Sequence, residues 1–271
     1  MTETSASHLF DIAVALDPLG PGEFRGRTTS AYANIVGPFG GITAATMVRA
    51  IQLDSRHIGD PISLTVNYAG PIAEGDFVVS AQPVRTNRST QHWSVTVIQR
   101  DQLVTTATAV FGSRRATWSA TEALAPTVVS APELPRAELS GLVSWVDNYD
   151  LRFIEGGIAP THDLPTTSAT TVWVCDHPAR ALDYPALTAM SDVFFPRVML
   201  RLQRMVPAGT VSMTIYFHAN RELLAAQSNR HVLAAARAQH FGNGFFDQSA
   251  QLWSDTGEPL VTTHQLVYFK A

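Results

Sequence analysis

Two stretches decide how this chain is read: Leu103-Val104-Thr105-Thr106-Ala107-Thr108-Ala109-Val110-Phe111 and Leu260-Val261-Thr262-Thr263-His264-Gln265-Leu266-Val267-Tyr268. Each follows a polar turn, Arg100-Asp101-Gln102 in the first case and Asp255-Thr256-Gly257-Glu258 in the second, so both read as strands entered from a hairpin. Similar units far apart in one chain point to an internal repeat. Working outward, Leu64-Thr65-Val66-Asn67-Tyr68 echoes Met213-Thr214-Ile215-Tyr216-Phe217, and Phe10-Asp11-Ile12 echoes Tyr149-Asp150-Leu151. Between these landmarks each half carries one apolar helical stretch: 42–53, opened by Gly40-Gly41, and 193–202, opened by Ser191-Asp192.

Long strands follow each helix, expected at 62–68, 77–86, 92–100 and 103–111 in the first half and at 211–218, 232–240, 245–253 and 260–269 in the second. One buried helix with four or more antiparallel strands, twice over, is an α+β arrangement in which each sheet wraps around a central helix. Pro126, Pro132 and Pro135 punctuate an Ala-, Ser- and Thr-rich stretch between the halves. It reads as a linker, giving an N-terminal domain 1–112, a linker 113–143 and a C-terminal domain 144–271.

With 271 residues, 45% of them hydrophobic and 15% charged, the chain can bury a full core. Net charge is -4, and Lys270 is the sole lysine beside 18 arginines, so neither a nucleic acid nor a polybasic membrane contact is expected. Lysine-dependent phosphate loops and Schiff bases are excluded with it. Cys175 is the only cysteine, which leaves no disulfide framework and favours a reducing, cytoplasmic setting. No basic and apolar leader and no long apolar run occur, so no membrane span is expected. There is no Gly-x-Ser-x-Gly elbow, and the histidines show no zinc-type spacing, so no metal and no separate cofactor are expected.

Taken together, Gly40-Gly41, Ser191-Asp192, Gly209-Thr210 before Tyr216-Phe217-His218, and the strand from Leu260 to Gln265 resemble the acyl-CoA thioesterase II family, whose members carry two hot-dog domains in one chain. The resemblance implies a double hot-dog fold and an acyl-CoA substrate, with coenzyme A entering only as part of that substrate. It also implies a catalytic trio of Asp192, Thr210 and Gln265 holding a water. A homo-oligomer is expected as well, because exposed sheet edges are commonly buried by pairing. The sequence departs from the family at Ile42, where glutamine often stands, and in the long 219–230 connection. Two rival readings are a hot-dog hydratase or dehydratase and an inactive acyl-CoA-binding scaffold whose site is covered by 219–230.

The chemistry suits these residue types. A carboxylate takes a proton, while a hydroxyl and an amide each donate and accept, so the three can orient a water without a metal. An acyl-aspartate route remains open beside the water-mediated one. Gly40 and Gly41 are expected to bind substrate, with amides at a helix start facing the oxyanion. Thr108 is expected at the repeat position of Gln265. Arg85 and Arg88 are candidates for the coenzyme A phosphates, and Phe194, Phe195 and Met199 for the acyl pocket.

Each residue also has a plainer reading. Asp192 alone is a helix cap, Thr210 a β-branched strand residue, Gly40-Gly41 a tight turn, the two arginines solvated hairpin charges, and the Phe194–Met199 stripe ordinary core. Gln265 is the most informative, because an unpaired amide in an apolar strand costs about 1–3 kcal/mol.

Overall fold

The computed structural model of the chain describes residues 7–157 and 167–271. Its elements run α1 (Leu9–Ala13), β1 (Asp17–Gly20), β2 (Glu23–Arg27), α2 (Gly40–Leu53), β3 (Asp60–Tyr68), β4 (Asp76–Thr86), β5 (Thr90–Gln99) and β6 (Gln102–Gly112) in the first half. The second half holds β7 (Tyr149–Glu155), β8 (Thr170–Asp176), α3 (Tyr184–Met190), α4 (Arg197–Leu202), β9 (Ala208–Phe217), α5 (Arg221–Gln227), β10 (Val232–Arg237), β11 (Phe241–Gly242), β12 (Phe245–Trp253) and β13 (Pro259–Phe269).

The strands show the period-2 burial that drives sheet formation. In β5, Gln91, Trp93, Val95, Val97 and Gln99 are buried while their neighbours are more exposed. Helix α2 is buried almost all round, with Ile42, Ala44, Ala45, Met47, Val48, Ala50 and Ile51 in the core, as its nearly uninterrupted apolar sequence requires. The sheet of the first half, β1-β2-β4-β5-β6-β3, covers α2, and that of the second, β9-β13-β12-β10-β8-β7, covers α3.

The two sheets join edge to edge into one, through antiparallel pairing of β3 with β9. Thr65 stands opposite Thr214, and their hydroxyls lie 3.1 Å apart. Since Leu64-Thr65-Val66 and Met213-Thr214-Ile215 are the repeated segments, this crossing marks the local two-fold relation of the halves. It brings α2 and α3 into direct contact. The shared core spans both halves.

Several expectations are corrected. Ser191-Asp192 closes α3 and does not open a 193–202 helix: Pro196 lacks an N–H and disfavours helical backbone at Phe195, so helix resumes only at Arg197. Phe10 lies on a single helical turn whereas Tyr149 starts a strand, so that echo is not structural. Thr65 pairs with Thr108 and Thr214 with His264, so the counterpart of Thr108 is His264 and not Gln265. One residue of slip reverses the face: Thr108 points to solvent and Gln265 inward. The 219–230 connection folds partly into α5, anchored by Leu224 in the core and by Arg221 Nε on Asp60 Oδ1 at 2.7 Å, and none of its residues lines the cavity described below.

Candidate active site

A cavity of about 1020 Å³ opens where the halves meet. Phe39, Trp145, Phe194, Phe195 and Met199 supply much of its apolar wall, with Asp192, Thr210 and Gln265 on the polar side. Trp145, in a 3-10 turn (Ser144–Asn148), stacks on Phe39 with centroids 4.4 Å apart, so the start of the second half forms a wall over the first helix. Among the described residues of the lining, Asp192 is the single Asp, Glu, Lys, Arg or His.

Asp192 reaches the site because α3 ends early. Its N–H donates to Ala189 O at 3.1 Å, and Ser191 Oγ donates to Leu187 O at 2.9 Å, closing the helix and turning the carboxylate toward α2. Helix α2 has no side-chain cap of its own, since the preceding residue is Phe39. The Asp192 carboxylate faces this end instead, where the Gly41 N–H favours its charged form. The expectation of a helix cap is thus right in kind but falls on the other helix, where the positive end of the dipole meets a carboxylate.

Both glycines are required sterically. A Cβ at Gly40 would lie 2.8 Å from Asp192 Oδ2, and one at Gly41 would lie 2.5 Å from Ala189 O. The Gly41 N–H, expected to face the oxyanion, lies toward Asp192 and favours its charged form.

Gln265, only 5% exposed, donates from Nε2 to Asp192 Oδ1 at 2.8 Å and lies 3.4 Å from Met213 Sδ. Its Oε1 accepts from Thr210 Oγ1 at 3.4 Å, across the β13–β9 pair. A register shift between Leu266 and Val267 sets Val267 opposite Thr210, leaving Thr210 able to reach Gln265. The buried amide is therefore paired on both ends.

Removal from water pushes the Asp192 carboxyl up to about 7, against the opposing pull of the Gln265 amide and the Gly41 N–H. Tyr68, not singled out from sequence, donates its hydroxyl to Gly40 O at 2.9 Å, and burial, with the Asp192 carboxylate, holds that phenol well above its ordinary range.

Sequence reasoning also missed Arg197. It is fully buried, and its guanidinium holds Phe195 O from Nε at 3.0 Å, together with Ser168 O and Thr170 Oγ1, with no carboxylate partner among the described residues. Burial pulls it down to about 9. It ties the Phe194-Phe195 wall to the sheet, and no periodic pattern signals such a residue.

Phe194, Phe195 and Met199 line the cavity as expected. Arg85 and Arg88 do not: both are exposed in the β4–β5 hairpin, where Arg85 Nε donates to Asn87 Oδ1 at 3.0 Å.

One set of metal-type ligands comes together elsewhere, Asp150, Cys175 and His231, from strands remote in sequence. It fits a cation poorly. Arg152 engages both oxygens of Asp150, and burial pushes the Cys175 thiol up to about 12. No helix among the described residues is long and apolar enough to cross a membrane.

Residues 28–112 match the acyl-CoA thioesterase N-terminal domain family and residues 122–269 the acyl-CoA thioesterase C-terminal domain family. Among solved structures, a hot-dog protein of unknown function from Alicyclobacillus acidocaldarius is 46% identical with a TM-score of 0.94, covering 98% of this chain and 99% of its own. A Thermobifida fusca protein described as a candidate thioesterase II gives 18% identity and a TM-score of 0.85 over 97% of this chain and 98% of its own. An acyl-CoA thioesterase II of Mycobacterium marinum gives 17% and 0.73 over 96% and 98%, respectively. The latter two support the double hot-dog fold alone. No match is found among curated proteins. With both of its domains matched, the chain belongs to the acyl-CoA thioesterase family of thioester hydrolases.

Proposed function

We propose that Asp192, Thr210 and Gln265 are the catalytic residues that hydrolyse an acyl-CoA to the free acid and coenzyme A. The observation that carries this reading is the 2.8 Å contact of Gln265 Nε2 with Asp192 Oδ1, on the wall of a mostly apolar cavity. Gln265 holds Oδ1, so Oδ2 is the oxygen offered to a water. Thr210 fixes the Gln265 amide and adds a hydroxyl beside the same water.

Asp192 accepts one proton of the water while the water oxygen bonds to the thioester carbon, and the carbonyl electrons move onto the carbonyl oxygen. Collapse of that adduct breaks the C–S bond, and the departing sulfur takes the proton from Asp192. A carboxyl pushed up to about 7 suits both transfers near neutral pH. The Gly40 N–H, in the first turn of α2 and without an intrahelical acceptor, is the donor we assign to the oxyanion.

No cofactor enters this scheme. The lining holds no cationic side chain among the described residues, so the coenzyme A phosphates rest outside the cavity while the acyl group enters it. Cytoplasmic placement and a role in fatty acid metabolism belong to the same proposal, as does assembly into a homo-oligomer through the edge strands β1 and β7. Light scattering at the 29.4 kDa of one chain argues against assembly.

Free thiol release from short, medium, long and aromatic acyl-CoAs tests the reaction. Turnover that falls about 100-fold in Asp192→Asn is expected. Turnover undiminished in that variant removes Asp192 from its role. An intact fold that binds acyl-CoA without turnover points to the scaffold reading.

A further inference from the structure

Gln248 of β12 stands directly opposite Gln265 of β13. Its side chain faces inward, only 2% exposed, and lines the cavity. Among the described residues its amide has no hydrogen-bond partner. The contrast with Gln265, paired at both ends one strand away, is sharp. The same cavity is also lined by Met199, Val206 and Val267, which belong to one apolar cluster.

An amide offers both a donor and an acceptor, and burying them unpaired against a plain alkyl chain is unfavourable. An oxygen on that chain pairs with the amide, and removing one such hydrogen bond changes discrimination by about tenfold. Residues directly opposite on antiparallel strands have Cα atoms about 4.5–5.5 Å apart. From a carbonyl carbon held beside Asp192 and Gln265, that span corresponds to the first few atoms of the acyl chain.

We propose that Gln248 is a substrate-binding residue that selects acyl thioesters bearing a hydroxyl or carbonyl oxygen on carbon 2 or 3 of the acyl group. This rests on Asp192 and Gln265 as the hydrolytic centre. The class of reaction that supplies such a substrate is one that hydrates or oxidises the acyl chain next to the thioester.

The test compares kcat/KM for octanoyl-CoA with that for its 2-hydroxy and 3-hydroxy derivatives, in the full-length protein and in Gln248→Met and Gln248→Leu. All three substrates are measured on one sample, so partial misfolding cancels in the ratios. The wild type is expected to prefer at least one hydroxylated chain by about tenfold or more, and both variants are expected to lose that preference. Equal rates on all three chains in the wild type, or a preference that survives both substitutions, overturns the inference. So does an equal fall on all three chains in both variants. Asp192→Asn in the same assay reports on the hydrolytic centre separately: its loss of activity with no hydroxyl preference in the wild type leaves the centre standing and removes only the role of Gln248.

Discussion

Gln265 Nε2 donates to Asp192 Oδ1 at 2.8 Å, joining the last strand of the chain to the residues just beyond α3. The bond favours the ionised carboxylate against the desolvation that pushes it up to about 7. Replacing Gln265 by Leu removes that pull, so the carboxyl moves higher still and the acid limb of the rate profile shifts to higher pH. At neutral pH kcat is expected to fall about 10- to 100-fold. A stopped pH series of thiol release on Gln265→Leu checks both the direction and the size.

Stability should move opposite to activity at Asp192. Its folded pKa is raised above the unfolded value of 3.8, so the folded state carries no penalty below that value and an increasing one as the pH climbs to about 7. Asp192→Asn removes the penalty. Its melting temperature is therefore expected to exceed that of the wild type by about 5 °C at pH 8 and to match it near pH 4. Calorimetry at the two pH values reads this.

The two glycines at the start of α2 should separate. Gly40→Ala places its Cβ 2.8 Å from Asp192 Oδ2, displacing the carboxylate, and is expected to lower kcat by tenfold or more with a modest change in melting temperature. Gly41→Ala presses on the backbone oxygen of Ala189 at 2.5 Å, where little can give, and is expected to destabilise by about 1–3 kcal/mol. Urea titration of each variant alongside its kinetics tells them apart.

A second buried acid gives a control for the first. Asp176 is 1% exposed, neither of its oxygens has a partner among the described residues, and burial pushes it up to about 7. The hydroxyls of Tyr32 and Tyr149 are buried and unpartnered too. By the same sign, stability falls as the pH rises from about 4 to 8, and Asp176→Asn is expected to flatten that fall without altering thiol release. Melting curves across that range, paired with activity, check it.

The long strands and α2 were legible because period-2 alternation and an unbroken apolar run are local signals. Gln265 stood out for the same reason, as a lone amide in an apolar strand. Asp192 stands out as a candidate in the sequence, but its position at the end of α3 does not: the apolar pattern runs straight through Phe194 and Phe195, and only Pro196 marks the break. Thr108 was set one residue out of register because the strings Leu103-Val104-Thr105-Thr106 and Leu260-Val261-Thr262-Thr263 align by identity, whereas the sheet aligns them by their partners Thr65 and Thr214. Strands β1 and β2 were missed, being short and broken by Pro18, Gly20, Gly22 and Gly26. Gln248 and Arg197 carry no sequence signal, since their meaning depends on what lies across the sheet.

The most direct test of the central claim is the pH dependence of kcat/KM for the best acyl-CoA substrate, followed by thiol release. A water activated by Asp192 predicts a rate that rises with pH through a single group near 7 and then levels, with that limb abolished in Asp192→Asn. A rate that is flat between pH 5 and 8, or a limb that persists unchanged in Asp192→Asn, contradicts it.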